Sequence, residues 1–272
     1  MTYQQRTVFI TGASRGIGKA IALKLAAGGA NIVIAAKSVE EDPRLGGTIH
    51  SAAAEVEAHG GKALAVQVDI RDEAQIAEAV AKAVERFGGI DVVINNASAI
   101  QLTNTQQTSA KKFDLMHDIN VRGTFLVTQH CLPYLKLGKN PHILTLSPPI
   151  NLAAHWLGPH VAYTISKYNM SMLALGWAAE LEQDGIASNA LWPATTIATA
   201  AVKNLLGGDA LVNMSRTPDI IADAVYYILN QPSISYTGHT LIDEEVLQSA
   251  GVTDFSKYAV KPGSRLQKDL FL

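Results

Sequence analysis

The chain has 272 residues, of which 48% are hydrophobic and 17% charged, and its formal net charge is −2. This is an ordinary globular composition with enough apolar side chains for a large core. The small net charge and the lack of a Lys/Arg-rich run exclude the electrostatic profile of a nucleic-acid or membrane-surface binder, so we expect neither partner.

Cysteine usage and hydropathy indicate the compartment. Cys131 is the only cysteine, so no disulfide can form within the chain, which fits a reducing compartment and predicts a cytoplasmic protein. Its apolar surroundings predict a buried small side chain rather than a nucleophile. The N-terminus lacks the pattern of a signal peptide. The most apolar run is interrupted by Lys24, Gly28, Gly29 and Asn31, so no transmembrane segment is expected.

Short β-branched runs alternate with helical patterns along the chain. Strands are predicted at 7–11, 31–36, 63–69, 91–97, 142–147, 186–192 and 239–243, and helices near 16–28, 48–59, 72–87, 109–136, 161–183 and 217–229. Several strands are apolar throughout, as expected when helices cover both faces of a sheet. The alternation predicts right-handed βαβ units and a parallel sheet of the α/β class.

Two segments break this rhythm. Residues 38–47 form a long polar connection, and residues 194–216 have a mixed apolar pattern with no clear strand after them. Long connections of this kind are typically functional lids or disordered segments. We therefore expect one dinucleotide-binding and catalytic domain over 1–253 and a polar tail over 254–272, either loose or docked on a neighbour.

The stretch TGASRGIG lies between the first strand and the first helix. Gly12 permits a tight turn, Gly16 lets the backbone approach a pyrophosphate, and Gly18 lets the helix pack closely on the strand. The helix N-terminus offers free N–H groups to phosphates. A plain glycine-rich turn is the alternative, but the strand–turn–helix context predicts nucleotide binding. The predicted contacts are Gly12, Ser14, Arg15, Gly16, Ile17 and Gly18.

The end of the second strand indicates which nicotinamide cofactor is bound. An acidic residue there would bond a ribose 2′-hydroxyl and favour NAD. This strand ends in Ala36 and Lys37 instead, and Lys37 with Arg15 could pair with a 2′-phosphate. We therefore predict NADP(H) in preference to NAD(H), the alternative being that both cations are merely solvated.

Several motifs come in a fixed order: TGASRGIG, Asp69 in VDI, NNAS, Asn120 in INVRG, and YTISK. Together they resemble the short-chain dehydrogenase/reductase family over residues 6 to about 243. The insert from residue 37, NNAS, LSPP and ALWP resemble one branch, the hydroxysteroid-dehydrogenase-like 2 proteins, without their sterol-carrier domain. The resemblance implies a single-domain, doubly wound, seven-stranded parallel sheet (a Rossmann fold).

The resemblance also implies roles for individual residues. Asp69 and Ile70 would hold the adenine, and Asn96 and Ala97 would lie along the nicotinamide-side ribose, with Asn95 bracing the sheet. Ser98 stands where the family usually has glycine. The remaining cofactor contacts implied are Pro193, Thr195 and Thr196, with Ala194 in place of the family's usual glycine.

Tyr163 and Lys167 are the predicted catalytic pair. Residues four apart share a helix face, so YTISK brings the two side chains together. A nearby ammonium favours the phenolate, so we expect a lowered pKa at Tyr163. Tyr163 would then protonate a carbonyl oxygen, or deprotonate an alcohol in reverse. By resemblance, Lys167 also bonds the ribose, and Asn120 anchors a water that relays protons.

The family's catalytic serine has no clear counterpart. The usual spacing to Tyr163 falls on Ile150, and Ser147, the predicted candidate, is followed by Pro148 and Pro149, which restrict its backbone. Three alternatives follow: Ser147 still reaches the site, another polar group such as Asn151 replaces it, or no side chain takes its place. His155 and His160 flank this loop without metal-ligand spacing and are expected to be loop or surface residues, so no metal site is predicted.

The apolar residues Leu152, Trp156, Leu157 and Trp192 predict either a pocket for a lipophilic small molecule or a seal for the core. The function predicted is an NADP(H)-dependent oxidoreductase acting on a carbonyl or alcohol. The alternatives are a regulator that binds NADPH with little turnover, and a lyase or epimerase on the same fold. By resemblance, pairing through the helices near 109–136 and 161–183 implies a homodimer or homotetramer.

Overall fold

The computed structural model describes residues 3–272, with the side chain of Leu205 outside that description. The strands are β1 Thr7–Thr11, β2 Asn31–Ala36, β3 Lys62–Gln67, β4 Val92–Asn95, β5 His142–Leu146, β6 Ala187–Trp192 and β7 Thr240–Ile242. The α-helices are α1 Gly16–Ala26, α2 Ile49–Ala58, α3 Glu73–Phe87, α4 Ala110–His117, α5 Thr124–Leu135, α6 Ala154–Leu157, α7 Val161–Glu180, α8 Gly208–Asn213, α9 Asp219–Leu229 and α10 Asp243–Ser249.

The strands form one parallel sheet in the order β3-β2-β1-β4-β5-β6-β7. The chain winds outward from β1 in one direction and from β4 in the other, which confirms the predicted doubly wound, seven-stranded α/β fold. Apolar side chains cover both faces: one core lies against α1 and α9, and the other against α3, α5 and α7. Parallel strands have their carboxyl ends at one edge, so the loops that follow them meet there.

The predicted helix at 109–136 is not continuous. A π-helical turn, Asp118–Gly123, joins α4 to α5. A side chain at Gly123 would collide with Ile70, which a Cβ would approach to 2.8 Å. π-turns are frequent at functional sites, and Asn120 lies inside this one. The short helices α6 and α10 had no distinct signal in the sequence pattern.

The strand predicted at 91–97 ends at Asn95 because the next backbone groups bond elsewhere. The N–H groups of Asn96 and Ala97 both donate to the Thr11 hydroxyl at 3.0 Å, which turns the chain toward β1. The strand predicted at 63–69 likewise ends earlier, at Gln67. The sequence pattern therefore predicted the strands but overran their ends.

The two irregular segments meet each other. Residues 38–47 fold over the glycine loop, so closely that a Cβ at Gly47 would lie 2.5 Å from the Ser14 carbonyl oxygen. Residues 194–216 contain a π-helical turn, Val202–Gly207, followed by α8. The Asn204 amide in that turn donates to the Arg44 carbonyl at 2.6 Å. The two segments together cover the start of α1.

The tail docks on its own domain, along the segment after β6. Thr195 and Lys268 form an isolated antiparallel bridge. Beside it, the Thr196 N–H donates to the Gln267 carbonyl at 3.0 Å, and the Asp269 N–H donates to the Ala194 carbonyl at 3.2 Å. Residues 267–269 therefore act as an added strand on this segment.

Phe271 anchors the end of the tail. Its side chain is 1% exposed and packs in a third apolar cluster with Tyr163, Tyr168 and Trp192. The backbone of Phe271 has a φ of 75°, an uncommon conformation for a bulky residue. The Trp192 indole N–H donates to the Leu270 carbonyl at 3.0 Å, which ties the tail to the end of β6.

We predict that Phe271→Ala releases the tail while leaving the sheet intact. The substitution removes a buried phenyl ring, and a segment held by few contacts opens locally without global unfolding. Amide hydrogen exchange at Thr196 and Asp269 should accelerate at least roughly tenfold, and β1 amides should keep their protection. Leu137→Ala, at a side chain that is 85% exposed, is the control and should change neither. Unchanged exchange at both tail-contact amides would contradict the docking described above.

Candidate functional site

The glycine loop connects β1 to α1 at the carboxyl edge of the sheet. Gly12 and Gly16 have positive φ angles of 67° and 56°, which only glycine adopts readily. A Cβ at Gly18 would lie 2.6 Å from the Asn96 amide nitrogen and 2.7 Å from the Gly12 carbonyl oxygen. The loop thus needs glycine for its turn and for its close contact with the β4 loop.

The start of α1 presents unsatisfied donors. Arg15 is the N-cap residue, and no side chain caps the helix. The Arg15 guanidinium donates to the Ser38 hydroxyl, while its other terminal nitrogen, Nη1, is buried without a partner. Free helix N–H groups and an unpaired guanidinium nitrogen suit an anion. These donors fit the phosphates of a dinucleotide, and Ser14 and Ile17 lie in the same loop.

The structure places a lysine, and no acidic residue, directly after β2. Lys37 is exposed one residue after β2, and no carboxylate stands at that position. Asp69 lies at the end of the neighbouring strand and accepts from the Arg71 guanidinium at 2.9 Å. This hydrogen bond, helped by Lys37, holds the pKa of Asp69 below its ordinary range. Ile70 is 7% exposed and packs on the π-helical turn.

The asparagines after β4 brace the loops rather than project freely. The Asn95 amide donates to the Thr128 hydroxyl of α5 at 3.0 Å, as the bracing role implied. The Asn96 amide donates to the carbonyls of Thr11 and Gly12 at 2.8 and 3.2 Å. Ala97 is half-buried beside them. The glycine loop is therefore fixed to the β4 loop before any ligand is bound.

Tyr163 lies in the first turn of α7 and is 4% exposed. Its hydroxyl makes no hydrogen bond to any of residues 3–272 in the structure. Burial raises the pKa of Tyr163 above its ordinary value, and the Asp269 carboxylate of the tail raises it further. The expected lowering of this pKa is thus not found, because the tail and the surrounding rings favour the neutral phenol.

Lys167 follows one turn later and is 2% exposed. Its ammonium donates to the Leu146 carbonyl at the end of β5, at 2.7 Å, and lies 5.1 Å from the centre of the Trp192 ring. Burial lowers the pKa of Lys167 to about 7, and the Asp269 carboxylate opposes that fall. The helical spacing of Tyr163 and Lys167 did not predict the hydrogen bond to Leu146, because the long lysine side chain reaches from α7 to the end of β5.

Asn120 links three parts of the site. Its carbonyl oxygen accepts from the Ala99 N–H at 2.7 Å, and its amide donates to the Ala99 carbonyl and to the Ser166 hydroxyl, both at 3.0 Å. Ser166 in turn donates to the Tyr163 carbonyl at 2.8 Å. Asn120 therefore ties the π-helical turn and the β4 loop to the turn of α7 that carries Tyr163.

The two candidates for the missing serine differ in their environment. Ser147 follows β5, is 1% exposed, and its hydroxyl has no hydrogen-bond partner. The Asn151 amide nitrogen donates to the Phe271 carbonyl at 3.4 Å, and its amide oxygen accepts from the Ala153 N–H at 3.1 Å. Both polar atoms of Asn151 are therefore engaged in holding the loop and the tail.

The two histidines of this loop also differ from each other. His155 is exposed and contacts the Trp156 ring, as expected for a loop residue. His160, expected at the surface, is only 7% exposed, and its Nε2 is buried without a partner. Its position three residues before Tyr163, at the N-cap of α7, was the sequence signal for its proximity to the site.

Three of the four apolar residues predicted to form either a pocket or a seal for the core lie in one apolar cluster. Trp156, Leu157 and Trp192 gather in the cluster that contains Tyr163. Leu152 is 73% exposed and takes no part in it. Phe271 supplies the wall that the sequence pattern had not predicted, because a polar tail gave no indication of where it folds.

The segment after β6 is held from both sides. Pro193 is buried at its start, and the Ala194 N–H donates to the Asp243 carboxylate at 2.8 Å. The Thr196 hydroxyl lies 2.8 Å from the Ser215 hydroxyl. The Thr195 hydroxyl is buried without a partner, so it could bond a ligand beneath this segment.

Among residues 3–272, no group of three or more His, Cys, Asp or Glu side chains is arranged to hold a metal ion. None of the helices there combines the length and apolar character needed to cross a bilayer. Cys131 is fully buried, and burial raises its pKa, which keeps the thiol protonated.

Comparison with known proteins agrees with this architecture. The family model for short chain dehydrogenases matches residues 6–208. Hydroxysteroid dehydrogenase-like protein 2 of Xenopus tropicalis is 59% identical over 266 residues, which are 98% of this chain and 63% of that protein. The chain thus spans less than two thirds of the length of such curated relatives.

Solved structures extend the comparison. A short chain dehydrogenase from Mycobacterium thermoresistibile is 55% identical with a TM-score of 0.95, over 100% of this chain and 96% of that one. A metagenomic short-chain oxidoreductase in complex with NADP is 25% identical, with a TM-score of 0.73 over 89% and 98%. An NADH-dependent reductase responsible for alginate metabolism is also 25% identical, with a TM-score of 0.71 over 88% and 96%. This chain belongs to the short-chain dehydrogenase family.

Proposed function

We propose that this protein is an NADP(H)-dependent oxidoreductase that transfers hydride between the nicotinamide and a lipophilic carbonyl or alcohol. The observation that carries the proposal is the buried pair Tyr163 and Lys167, one helical turn apart at the carboxyl edge of the sheet, where the glycine loop also lies. A small-molecule substrate follows from this chemistry. The single cysteine is compatible with the cytoplasmic location that we propose.

The cofactor would be held by residues from four loops. The glycine loop would bind the pyrophosphate, Arg15 and Lys37 the 2′-phosphate, and Asp69 and Ile70 the adenine. Asn96 and Ala97 would lie along the ribose. Pro193, Thr195 and Thr196 would cover the nicotinamide. The bound nicotinamide would supply or accept the hydride. Arg15 and Lys37 support a preference for a 2′-phosphate, since no carboxylate opposes one at the end of β2.

Tyr163 would handle the proton. Its raised pKa keeps the phenol neutral, so it can donate a proton to a carbonyl oxygen at neutral pH. A charged Lys167 would stabilise the phenolate that donation leaves behind. Lys167 has a pKa of about 7, so it can carry that charge or pass a proton onward. Asn120 would keep the tyrosine turn in place through Ser166.

The surroundings of Tyr163 support an apolar substrate. Trp156, Leu157, Trp192 and Phe271 lie in one cluster with it. A pocket lined by aromatic rings with few polar groups binds apolar compounds through the surface that they bury. We therefore propose an aliphatic or cyclic carbonyl compound as the substrate class.

A regulator that binds NADPH with little turnover is the second candidate. Phe271 lies against Tyr163 with ring centres 6.3 Å apart, and the tail covers the segment after β6. A site closed in this way favours binding over turnover. No contact among residues 3–272 favours a lyase or an epimerase over these two candidates.

We further propose that α5 and α7 form a contact between copies of this chain. Phe125 and Met172 are 42% and 55% exposed on these helices and line a groove of about 480 Å³. Gly176 lies inside α7, four residues before its end, where glycine lowers helix stability by about 1 kcal/mol. A Cβ there would meet nothing within 4 Å in its own chain. Close approach of a second copy would explain it, in a dimer or a tetramer.

Tyr163→Phe should lower hydride transfer to a carbonyl by roughly 10²–10⁴-fold, because it removes the proton donor. The NADPH dissociation constant should stay within about twofold, since the ring and its packing remain. Stopped-flow NADPH oxidation with a panel of aldehydes and ketones measures the first quantity, and calorimetry the second. Tyr134→Phe serves as the matched control. A variant that keeps its activity would rule out Tyr163 as the acid.

Arg15→Ala combined with Lys37→Ala should weaken NADPH binding by roughly 10- to 100-fold, since charged hydrogen bonds contribute about 1.5–3 kcal/mol. NADH binding should change little in comparison. Dissociation constants of both cofactors for the double variant, the parent and the Lys62→Ala control provide the test. Tighter NADH than NADPH binding by the parent, or an equal loss for both cofactors, would disprove the preference.

Gly176→Arg should convert the oligomer to monomers, because a long charged side chain would enter the contact between two α7 helices. Gly89→Arg is the control. A Cβ at Gly89 also meets open space, but Gly89 follows α3 and lies outside the proposed contact of α5 and α7. Sedimentation velocity at micromolar protein concentration measures the oligomeric state of the parent and of both variants. A monomeric parent, or an oligomer that survives Gly176→Arg, would refute this interface.

A further inference from the structure

His160 has an unpaired polar atom beside the proposed proton donor. The ring is 7% exposed, and Nε2 is buried with no hydrogen-bond partner among residues 3–272. Leaving a buried donor or acceptor without a partner is unfavourable, so such atoms are uncommon in folded proteins. An atom of this kind next to Tyr163 indicates a group that becomes paired when a ligand is bound.

The backbone places the imidazole close to the tyrosine ring. His160 is the N-cap residue of α7, with φ −151° and ψ 57°, and its carbonyl accepts from the Thr164 N–H at 3.0 Å. The ring centres of His160 and Tyr163 are 6.1 Å apart, and Phe271 lies 6.2 Å and 6.3 Å from them. The three rings thus lie against one another, and Phe271, being apolar, offers no hydrogen bond to either neighbour.

The competing donors are less well suited. Both polar atoms of the Asn151 amide are already bonded. Ser147 is 1% exposed and precedes two prolines. Its hydroxyl is also without a partner among residues 3–272, but the two prolines that follow restrict the backbone that would have to move to bring it to a substrate oxygen. His160 has both an uncommitted buried nitrogen and a ring in the immediate neighbourhood of Tyr163.

The chemistry of a buried imidazole suits the task. Burial lowers the pKa of His160, so the ring is neutral near pH 7 and carries one N–H. In the tautomer with its proton on Nε2, that N–H can donate to an oxygen. A neutral imidazole that donates to a carbonyl polarises it and stabilises the negative charge that develops on the oxygen.

We propose that His160 donates a hydrogen bond from Nε2 to the substrate oxygen that Tyr163 protonates, in place of the serine that other family members use. This inference rests on the proposed oxidoreductase function. It makes His160 a catalytic residue that contacts the substrate, and it leaves Ser147 and Asn151 to shape the loop.

The test uses three variants of the full chain. His160→Phe keeps an aromatic ring but removes both nitrogens, and His160→Gln keeps a side-chain N–H donor. His155→Phe makes the same change at the exposed histidine of the same loop. Single-turnover hydride transfer from saturating NADPH to cyclohexanone and to a series of aliphatic aldehydes is measured for each, with the NADPH dissociation constant and the melting temperature.

His160→Phe should lower the hydride-transfer rate by roughly 10²–10³-fold, as the loss of one donor to a developing oxyanion does. The rate of His160→Gln should be at least about tenfold higher than that of His160→Phe, because glutamine keeps an N–H donor. The rate of His155→Phe should stay within about twofold of the parent rate. The NADPH dissociation constant should be unchanged in all three. A rate for His160→Phe above one third of the parent rate, or a loss shared by His155→Phe, would overturn the assignment.

A parent protein that turns over none of these compounds would count against the proposed function, and a binding measurement then decides about His160. The dissociation constant of cyclohexanone is measured by ligand-observed NMR for the parent and for His160→Phe. Weakening by tenfold or more in the variant would support His160 as a ligand donor in a protein that does no hydride transfer. Equal binding, including no binding by either, would overturn it.

Discussion

The buried ammonium of Lys167 on the Leu146 carbonyl determines how the rest of the site is arranged. This hydrogen bond of 2.7 Å fixes α7 against the end of β5 in the interior of the protein. Placing a charge there is unfavourable, which is why burial lowers the pKa of Lys167 to about 7. One turn earlier the same helix carries Tyr163, and one turn later the Ser171 hydroxyl donates to the Pro148 carbonyl at 2.6 Å.

The second constraint is the linkage between loops. The Asn96 amide joins the β4 loop to the glycine loop, and Asn120 joins the same loop to α7. The proposed phosphate-binding and proton-transfer parts of the site are therefore positioned relative to each other by the amides of Asn96 and Asn120. Preformed geometry of this kind lowers the cost of ordering the site when a ligand binds.

The tail adds a feature that the family fold does not require. It pairs with the segment after β6 and places Phe271 against Tyr163. The Asp269 carboxylate is held in the same region, and burial raises its pKa to about 7. The tail therefore contributes both an apolar ring and an ionisable group to the surroundings of Tyr163.

Local pattern predicted the strands, the glycine loop and the Tyr163–Lys167 pair, because each depends on residues close together in the sequence. It did not predict Phe271 or the depth of His160, since both depend on where a distant polar segment folds back. The pKa of Tyr163 was misjudged for the same reason: helix spacing brings Lys167 near, but burial and Asp269 dominate. Contacts between remote segments carry no local signal in one sequence.

The most direct test of the central claim is an isotope-transfer measurement. NADPH deuterated at the transferring C4 position is incubated with the protein and a panel of aliphatic and cyclic carbonyl compounds, and the products are analysed by mass spectrometry. We predict at least one alcohol with deuterium on the carbinol carbon, and its loss with Tyr163→Phe. Tight NADPH binding with no deuterated alcohol from any compound would contradict the oxidoreductase and favour the NADPH-binding regulator.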